Sequence, residues 1–174
     1  IIKTKGSKWV SPFTIPAFIS NMAAGIASIE VGAKGPNICP TTACTSGTHA
    51  IGEAMMLIQT GRATAMLAGG SEACFSMLAF SGFAKMKALA HGFNETPEKA
   101  SRPFDANRAG FVMGEGSGVL LLEDYESAKA RGAKIYCEIV GYGMSSDAYH
   151  MTTPAPEGDG AFRCMRQALQ TANM

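Results

Sequence analysis

A helix over Thr45–Thr60 would have almost no polar face. Ala50, Ile51, Ala54, Met55, Leu57 and Ile58 surround it, and a helix apolar on most sides is buried. Such a helix has to be covered from several directions, which calls for packed layers of secondary structure. Gly61 supplies its stop. Directly ahead of it lies Asn37–Gly47, NICPTTACTSG. A short β-prone run, small and hydroxyl residues and then the helix place Cys44 at a corner. First-turn backbone N–H groups point outward there, a setting that stabilises a thiolate.

The rest of the chain alternates between strand and helix patterns. Ile15, Phe18, Ile19, Met22, Ile26 and Ile29 fall at helical spacing, so a helix is predicted from Ile15 to about Val31. Pro16 fits its first turn. Gly25 inside it costs roughly 1 kcal/mol against alanine and suggests close packing. Asn37–Thr42 reads as a short strand despite Pro40. Thr64–Ala68 reads as a buried strand ending at Gly69-Gly70, and Met77–Leu89 as a weaker helix interrupted by Gly82. Ala90–Arg108 is loop, and Gly118–Leu122 is a buried strand. Asp124 can cap a helix through Arg131, with Gly132 just past its end. Lys134–Tyr142 alternates like a strand. Asp159 is placed to cap a last helix with an apolar stripe of Ala161, Phe162, Met165, Ala168, Leu169 and Ala172. Strands alternating with helices give an α/β fold with a largely parallel sheet.

Composition narrows the function classes. The 174 residues are 47% hydrophobic and 17% charged, which favours a well-buried fold. A net charge of +1 gives no support to a nucleic-acid partner. No apolar run approaches the ~20 residues that span a bilayer, so no membrane role is expected. The five cysteines are odd in number and widely spaced, without a CxxC pair. That argues against a disulfide framework or a zinc site and for a reducing compartment. The chain opens on Ile1 without a methionine and stops within a helical pattern at Met174, so it is expected to be a piece of a longer protein.

Position alone leaves Cys44 open between a structural thiol and a nucleophile. Cys39, Cys74, Cys137 and Cys164 read as inert. His49 lies five residues beyond Cys44, about 140° around a helix, which disfavours a direct pair. His91 sits in a polar loop. His150 lies in SSDAYHMTT, Ser145–Thr153, a polar cluster after a predicted strand, and position assigns it no proton-transfer role. Gly114–Gly118, GEGSG, precedes a strand instead of opening a helix, the reverse of the dinucleotide fingerprint; turns and close backbone approach account for it. Glu115, Glu123, Asp124, Asp105 and Asp147 form no obvious acid/base pair. Lys85, Lys87, Arg102 and Arg108 read as solvated or paired charges, with a small basic surface for an acidic partner left open.

The motifs together carry a family likeness. TACTSGTHAIGEA (Thr42–Ala54) resembles the active-site segment of the β-ketoacyl-acyl-carrier-protein synthases, the condensing enzymes of fatty-acid synthesis. AMLAGGSEA (Ala65–Ala73), SGFAKMKAL (Ser81–Leu89), ASRPFDANRAGFVMGEGSGVLLLE (Ala100–Glu123), RGAKIYCEIVGYGMSSDAYHMT (Arg131–Thr152) and SPFTIPAFISNMAAG (Ser11–Gly25) resemble the elongating, type II members in order and spacing. Pro40 and Ala90–Asn94 depart from the usual pattern, and a proline in the strand before the cysteine removes a ladder donor.

The resemblance implies a thiolase-like layered αβαβα fold. Residues 1–174 would be a partial ketosynthase domain, most of the N-terminal half and the beginning of the C-terminal half. It implies Cys44 as acyl acceptor, with its backbone N–H as half of an oxyanion hole. Phe83 and Thr152 would lie along the substrate site, and Lys87 would face acyl carrier protein. The implied reaction is elongation by decarboxylative Claisen condensation of malonyl-acyl carrier protein. Acyl and malonyl groups would arrive on phosphopantetheine, and neither cofactor nor metal is implied. The implied assembly is a homodimer, in the bacterial cytoplasm or an organellar stroma or matrix. The family's catalytic histidines and lysine belong to later segments, so the 174 residues alone are expected to be inactive. Two other readings compete: a non-catalytic ketosynthase-like partner subunit, and a thiolase acting on acyl-coenzyme A.

Overall fold

The computed structural model describes residues 2–174. In chain order the helices and strands are α1 (Ile2–Lys5), α2 (Thr14–Phe18), α3 (Met22–Glu30), α4 (Ser46–Gln59), β1 (Ala65–Glu72), α5 (Met77–Lys85), β2 (Gly116–Glu123), α6 (Tyr125–Ala130) and α7 (Asp159–Thr171). Short 3-10 turns cover Ser7–Trp9, Ala43–Thr45, Pro97–Lys99 and Pro156–Gly158. The chain forms two compact units, Ile1–Gly69 with Val119–Met174, and Gly70–Gly118.

In the first unit the core is a small apolar cluster. Ala54 and Met55 of α4 are buried with Ala68 of β1 and Leu122 of β2. Ile51, Met56, Ile58, Met66 and Tyr142 pack around them. α4 ends as its sequence dictates. Gly61 takes a left-handed φ of 68°; its N–H donates to the Ile58 carbonyl and the Arg62 N–H to that of Leu57, which satisfies two terminal carbonyls. α6 begins and ends by the same logic. The Asp124 carboxylate accepts from the Ser127 N–H at 3.0 Å, and Gly132, at φ 70°, closes the helix with bonds from its own N–H and that of Ala133.

The strands differ from expectation. β1 and β2 pair, and the Asp124 N–H beyond the end of β2 donates to the Thr64 carbonyl before the start of β1. That pairing is antiparallel, where alternation alone predicts parallel neighbours. Most of β2 is exposed, including Val119, Leu120 and Leu121, because a two-stranded pair has open faces. Asn37–Thr42 is not a strand. Side chains tie it to the preceding helical region instead: Asn37 Nδ2 donates to the Ala24 carbonyl at 3.2 Å and Cys39 Sγ to that of Ser20 at 3.2 Å. Lys134–Tyr142 is not a strand either. Its end is fastened to α7, where the Tyr142 N–H donates to Thr171 Oγ1 and the Met144 N–H to Gln167 Oε1.

The helices differ in detail. The stretch Ile15–Val31 is two helices, broken at Ile19, whose backbone is extended. A Cβ at Gly25 would meet nothing within 4 Å, so no close packing explains that glycine. Gly158, not Asp159, is the N-cap of α7; Asp159 is its first residue and pairs with Arg163 at 2.8 Å. The expected apolar stripe is only partly the packed one. Phe162, Met165 and Leu169 are exposed. The small side of the helix packs instead: a Cβ on Gly143 would strike the Cys164 carbonyl, and one on Gly141 the Ala168 carbonyl and Ala172. Glycine lets backbone meet backbone there.

In the second unit, the Ser76 hydroxyl caps α5 by accepting from the Ala79 N–H at 3.2 Å. α5 stops at Lys85, short of the predicted Leu89, and Gly82 does not interrupt it. Lys87 occupies the left-handed position past the helix, φ 57°, where the Lys87 and Ala88 N–H groups donate to the Ala84 and Phe83 carbonyls. Asp105 organises the loop that follows. It accepts from Arg102 Nη2 at 2.9 Å and from the Asn107 N–H at 2.7 Å. The Arg102 bond, foremost, holds its carboxyl below the usual range. Glu115 of GEGSG accepts from the Phe75 N–H at 2.7 Å.

The Arg131 guanidinium donates to both carboxylate oxygens of Glu123, the shortest bond being 2.7 Å. That bonding holds the Glu123 carboxyl below its usual range. A depressed folded-state pKa adds stability above the unfolded value and loses it as pH falls through the folded one. Glu123→Gln is therefore expected to lower the thermal midpoint at neutral pH, by an amount that shrinks as pH drops below the ordinary glutamate range. Midpoints of both proteins from pH 7 downward check this, and a constant gap would contradict it.

Candidate active site

The corner before α4 is built from hydroxyls. Ala43–Thr45 makes a 3-10 turn and Ser46 starts the helix. The Thr42 N–H donates to Ser46 Oγ at 2.9 Å, and Ser46 Oγ donates to the Ala43 carbonyl at 2.7 Å. Thr45 Oγ1 donates to the Thr42 carbonyl at 2.8 Å and to Thr42 Oγ1 at 3.1 Å. Between them Ala43 holds φ 53°, a left-handed conformation that a residue with a Cβ rarely adopts. Cys44 follows, its thiol free and exposed. The corner thus forms without the strand expected to lead into it.

His49 sits one turn into α4. Its Nδ1 lies 2.6 Å from Thr42 Oγ1, so its bonding partner is the residue two before Cys44. Its ring meets that of Tyr142 edge-on, centroids 6.3 Å apart. Tyr142 is pressed onto α4 at Gly52, where any Cβ would fall inside the phenol ring. Burial pushes the phenol above its usual range, helped by Glu53 and Cys164, and its hydroxyl is buried without a partner. A groove of about 430 Å³ borders this region, lined by Ile38, Cys39, Pro40, Thr42, His49, Glu53 and Met144.

The other residues singled out by sequence are placed as follows. Thr152 is exposed in the loop before α7. His150 Nδ1 accepts from the Thr152 and Thr153 N–H groups, both at 3.1 Å, so this histidine braces its own loop. Asp147 does the same from the other side: its Oδ2 accepts from the Ala155 N–H at 2.8 Å, and its Oδ1 fills the space a Cβ on Gly160 would need. His91 is exposed. Phe83 and Lys87 belong to the second unit. Phe83 stacks edge-on against Phe111, centroids 6.1 Å apart, outside the roughly 460 Å³ groove that Phe80, Leu89, Phe93 and Phe111 help to line. Lys87 is exposed at the end of α5. Among the described residues no group of three or more His, Cys, Asp or Glu side chains converges on a metal position. His49–Thr42 is the pairing that sequence reasoning missed; Thr42 lies ahead of the helix, and the left-handed Ala43 that turns it toward His49 has no sequence signal.

A mixed α/β chain whose exposed cysteine sits in the turn before a half-buried helix defines a class, and comparison with known proteins gives the family. Residues 2–128 match the beta-ketoacyl synthase N-terminal domain and residues 136–174 its C-terminal domain. The chain belongs to the beta-ketoacyl synthase family. It is 54% identical over 174 residues to 3-oxoacyl-[acyl-carrier-protein] synthase 2 of Synechocystis, covering 100% of this chain and 42% of that protein. Against the protein of the same name from Rhizobium meliloti it is 51% identical over 173 residues, 99% of this chain and 41% of that one. The chain thus spans about two fifths of the curated relatives it matches. Among solved structures, a beta-ketoacyl synthase from Burkholderia phymatum matches with a TM-score of 0.90 at 40% identity, over 99% of this chain and 42% of that one. A type II PKS ketosynthase in complex with its acyl-carrier protein matches at 0.93 and 38% identity, over 97% and 41%. The fold is the thiolase-like one of the ketosynthases, of which this chain is a partial fragment.

The packing around Tyr142 gives a direct expectation. Gly52→Ala should destabilise the protein by about 1–3 kcal/mol through overpacking. Tyr142→Phe, which removes a buried hydroxyl without a partner, should stabilise it by about 1 kcal/mol. Urea unfolding midpoints test both, and a Tyr142→Phe protein less stable than the parent would contradict the unpartnered hydroxyl.

Proposed function

We propose that this chain is part of a ketosynthase domain that elongates acyl chains on acyl carrier protein, with Cys44 as the acyl acceptor. The observation that carries the proposal is the exposed Cys44 thiol in the 3-10 turn opening α4. Cys44 Sγ attacks the carbonyl carbon of an acyl thioester. The new C–S bond forms as the bond to the phosphopantetheine sulfur breaks, and that thiol leaves with the proton. The first backbone N–H groups of a helical turn lack intrahelical acceptors, so the N–H of Cys44 is suited to the oxyanion of the tetrahedral intermediate. Malonyl-carrier protein then loses carbon dioxide. The enolate left behind attacks the acyl-Cys44 carbonyl, and the Cys44 thiolate departs. The product is a β-ketoacyl chain longer by two carbons, which makes the enzyme an acyltransferase.

The remaining assignments rest on the motif resemblance. Phe83 lines the acyl pocket, Thr152 lies near the substrate channel, and Lys87 faces the acidic carrier protein. The working assembly is a homodimer in a reducing compartment, bacterial cytoplasm or organellar stroma or matrix. The 174 residues by themselves do not complete the reaction, which needs a base and a second oxyanion donor supplied elsewhere in the enzyme. In the full-length protein, Cys44→Ala is expected to lower elongation of an acyl-carrier substrate by more than about a thousandfold. Cys74→Ala and Cys137→Ala should leave it within about twofold. Unchanged elongation in Cys44→Ala would favour a non-catalytic partner subunit.

A further inference from the structure

The residue before the proposed nucleophile is strained, and the groups that hold it come from α4. Ala43 sits at φ 53°. Left-handed backbone in a non-glycine residue persists only where its surroundings over-determine it. Thr45 Oγ1 bonds the Thr42 carbonyl from within the turn and would move with it; Ser46, the first residue of α4, accepts from the Thr42 N–H and donates to the Ala43 carbonyl. A second restraint from α4, the one that reaches the Thr42 side chain, is His49. Its ring rises from the body of α4, meets Tyr142 edge-on, and places Nδ1 2.6 Å from Thr42 Oγ1. Tyr142 in turn is seated on Gly52. A packed side chain thus fixes the far end of the strained peptide.

We propose that His49, through Thr42, is a positioning residue that holds the Ala43–Cys44 corner in its left-handed form and so aims the Cys44 sulfur and N–H at the acyl carbonyl. The proposal rests on Cys44 as acyl acceptor. His49 takes no proton from Cys44 in this account and touches no substrate. With the clamp released, Ala43 relaxes toward ordinary backbone angles, and the sulfur and its N–H turn away together. An ångström-scale misplacement of this kind costs rate rather than affinity.

The test is single-turnover transfer of an acyl group from acyl carrier protein to the full-length enzyme, read by mass on the peptide containing Cys44. His49→Ala and Thr42→Val are each expected to slow transfer at saturating donor by about tenfold or more while the half-saturating donor concentration changes less than about twofold. The double variant should be no slower than the slower single one, since both cut one link. His49→Asn, which keeps a polar nitrogen near the Nδ1 position, and Thr42→Ser, which keeps the hydroxyl, should recover most of the rate. Multiplicative losses in the double variant, equal loss in His49→Asn and His49→Ala, or an effect confined to half-saturation would overturn the proposal. Thr42 is exposed, so its variants stand even where His49→Ala folds poorly. Acyl transfer that persists in Cys44→Ala would instead refute the acceptor assignment, separately from the clamp.

Discussion

The contact of Ala54 and Met55 with Ala68 and Leu122 is what the first unit depends on. It seats α4 against the paired strands β1 and β2. α4 buries Gly52, Ala54 and Met55 and leaves most of its other residues half-buried, so the contact fixes the helix near its middle and not, as its apolar sequence predicts, on most sides. Its N-terminus extends from that contact as a platform. The turn that carries Cys44 is an extension of that platform, tied to it by Thr45, Ser46 and His49. A thiol on a loosely held loop would sample many directions; here bonds to the helix limit the choice.

Small residues let this unit close. Gly52 admits the Tyr142 ring onto α4, and Gly141 and Gly143 admit the backbone of α7. At each point a single added Cβ would collide with its neighbour. The segment after Lys134 is held by α7 side chains, not by a ladder. Thr171 and Gln167 accept its N–H groups, and Thr171 and Cys164 donate to its carbonyls. The loop with Thr152 continues from that segment and is braced by Asp147 and His150. His150 thus serves the geometry of its own loop.

Local chemistry was legible in the sequence wherever it was decided locally. Asp124 and Gly132 bracket α6, and Gly61 ends α4, because caps depend on a few neighbouring residues. The placing of Cys44 just ahead of a helix followed from the same kind of pattern, whereas the burial of that helix is partial because the two-stranded pair covers one part of it. Strands were less legible. Asn37–Thr42 and Lys134–Tyr142 have the composition of strands, but a strand is made by its partner, and side chains of α7 or backbone carbonyls near α3 hold these segments instead. The packed face of α7 was hidden for a related reason: hydrophobicity marks Phe162, Met165 and Leu169, while close approach to glycine selects Gly160, Cys164 and Ala168. The end of α5 was missed because Lys87 occupies a left-handed position that sequence rules reserve for glycine.

The central claim is that this corner accepts the acyl chain on Cys44 and nowhere else. The most direct measurement incubates the full-length protein with acyl carrier protein bearing an acyl thioester, without any malonyl donor. Mass analysis of the intact protein and of its peptides then locates the trapped group. The account predicts one acyl group per chain, as a hydroxylamine-labile thioester on the peptide containing Cys44. Acylation at another side chain, or a protein that elongates chains without any trapped thioester, would contradict it.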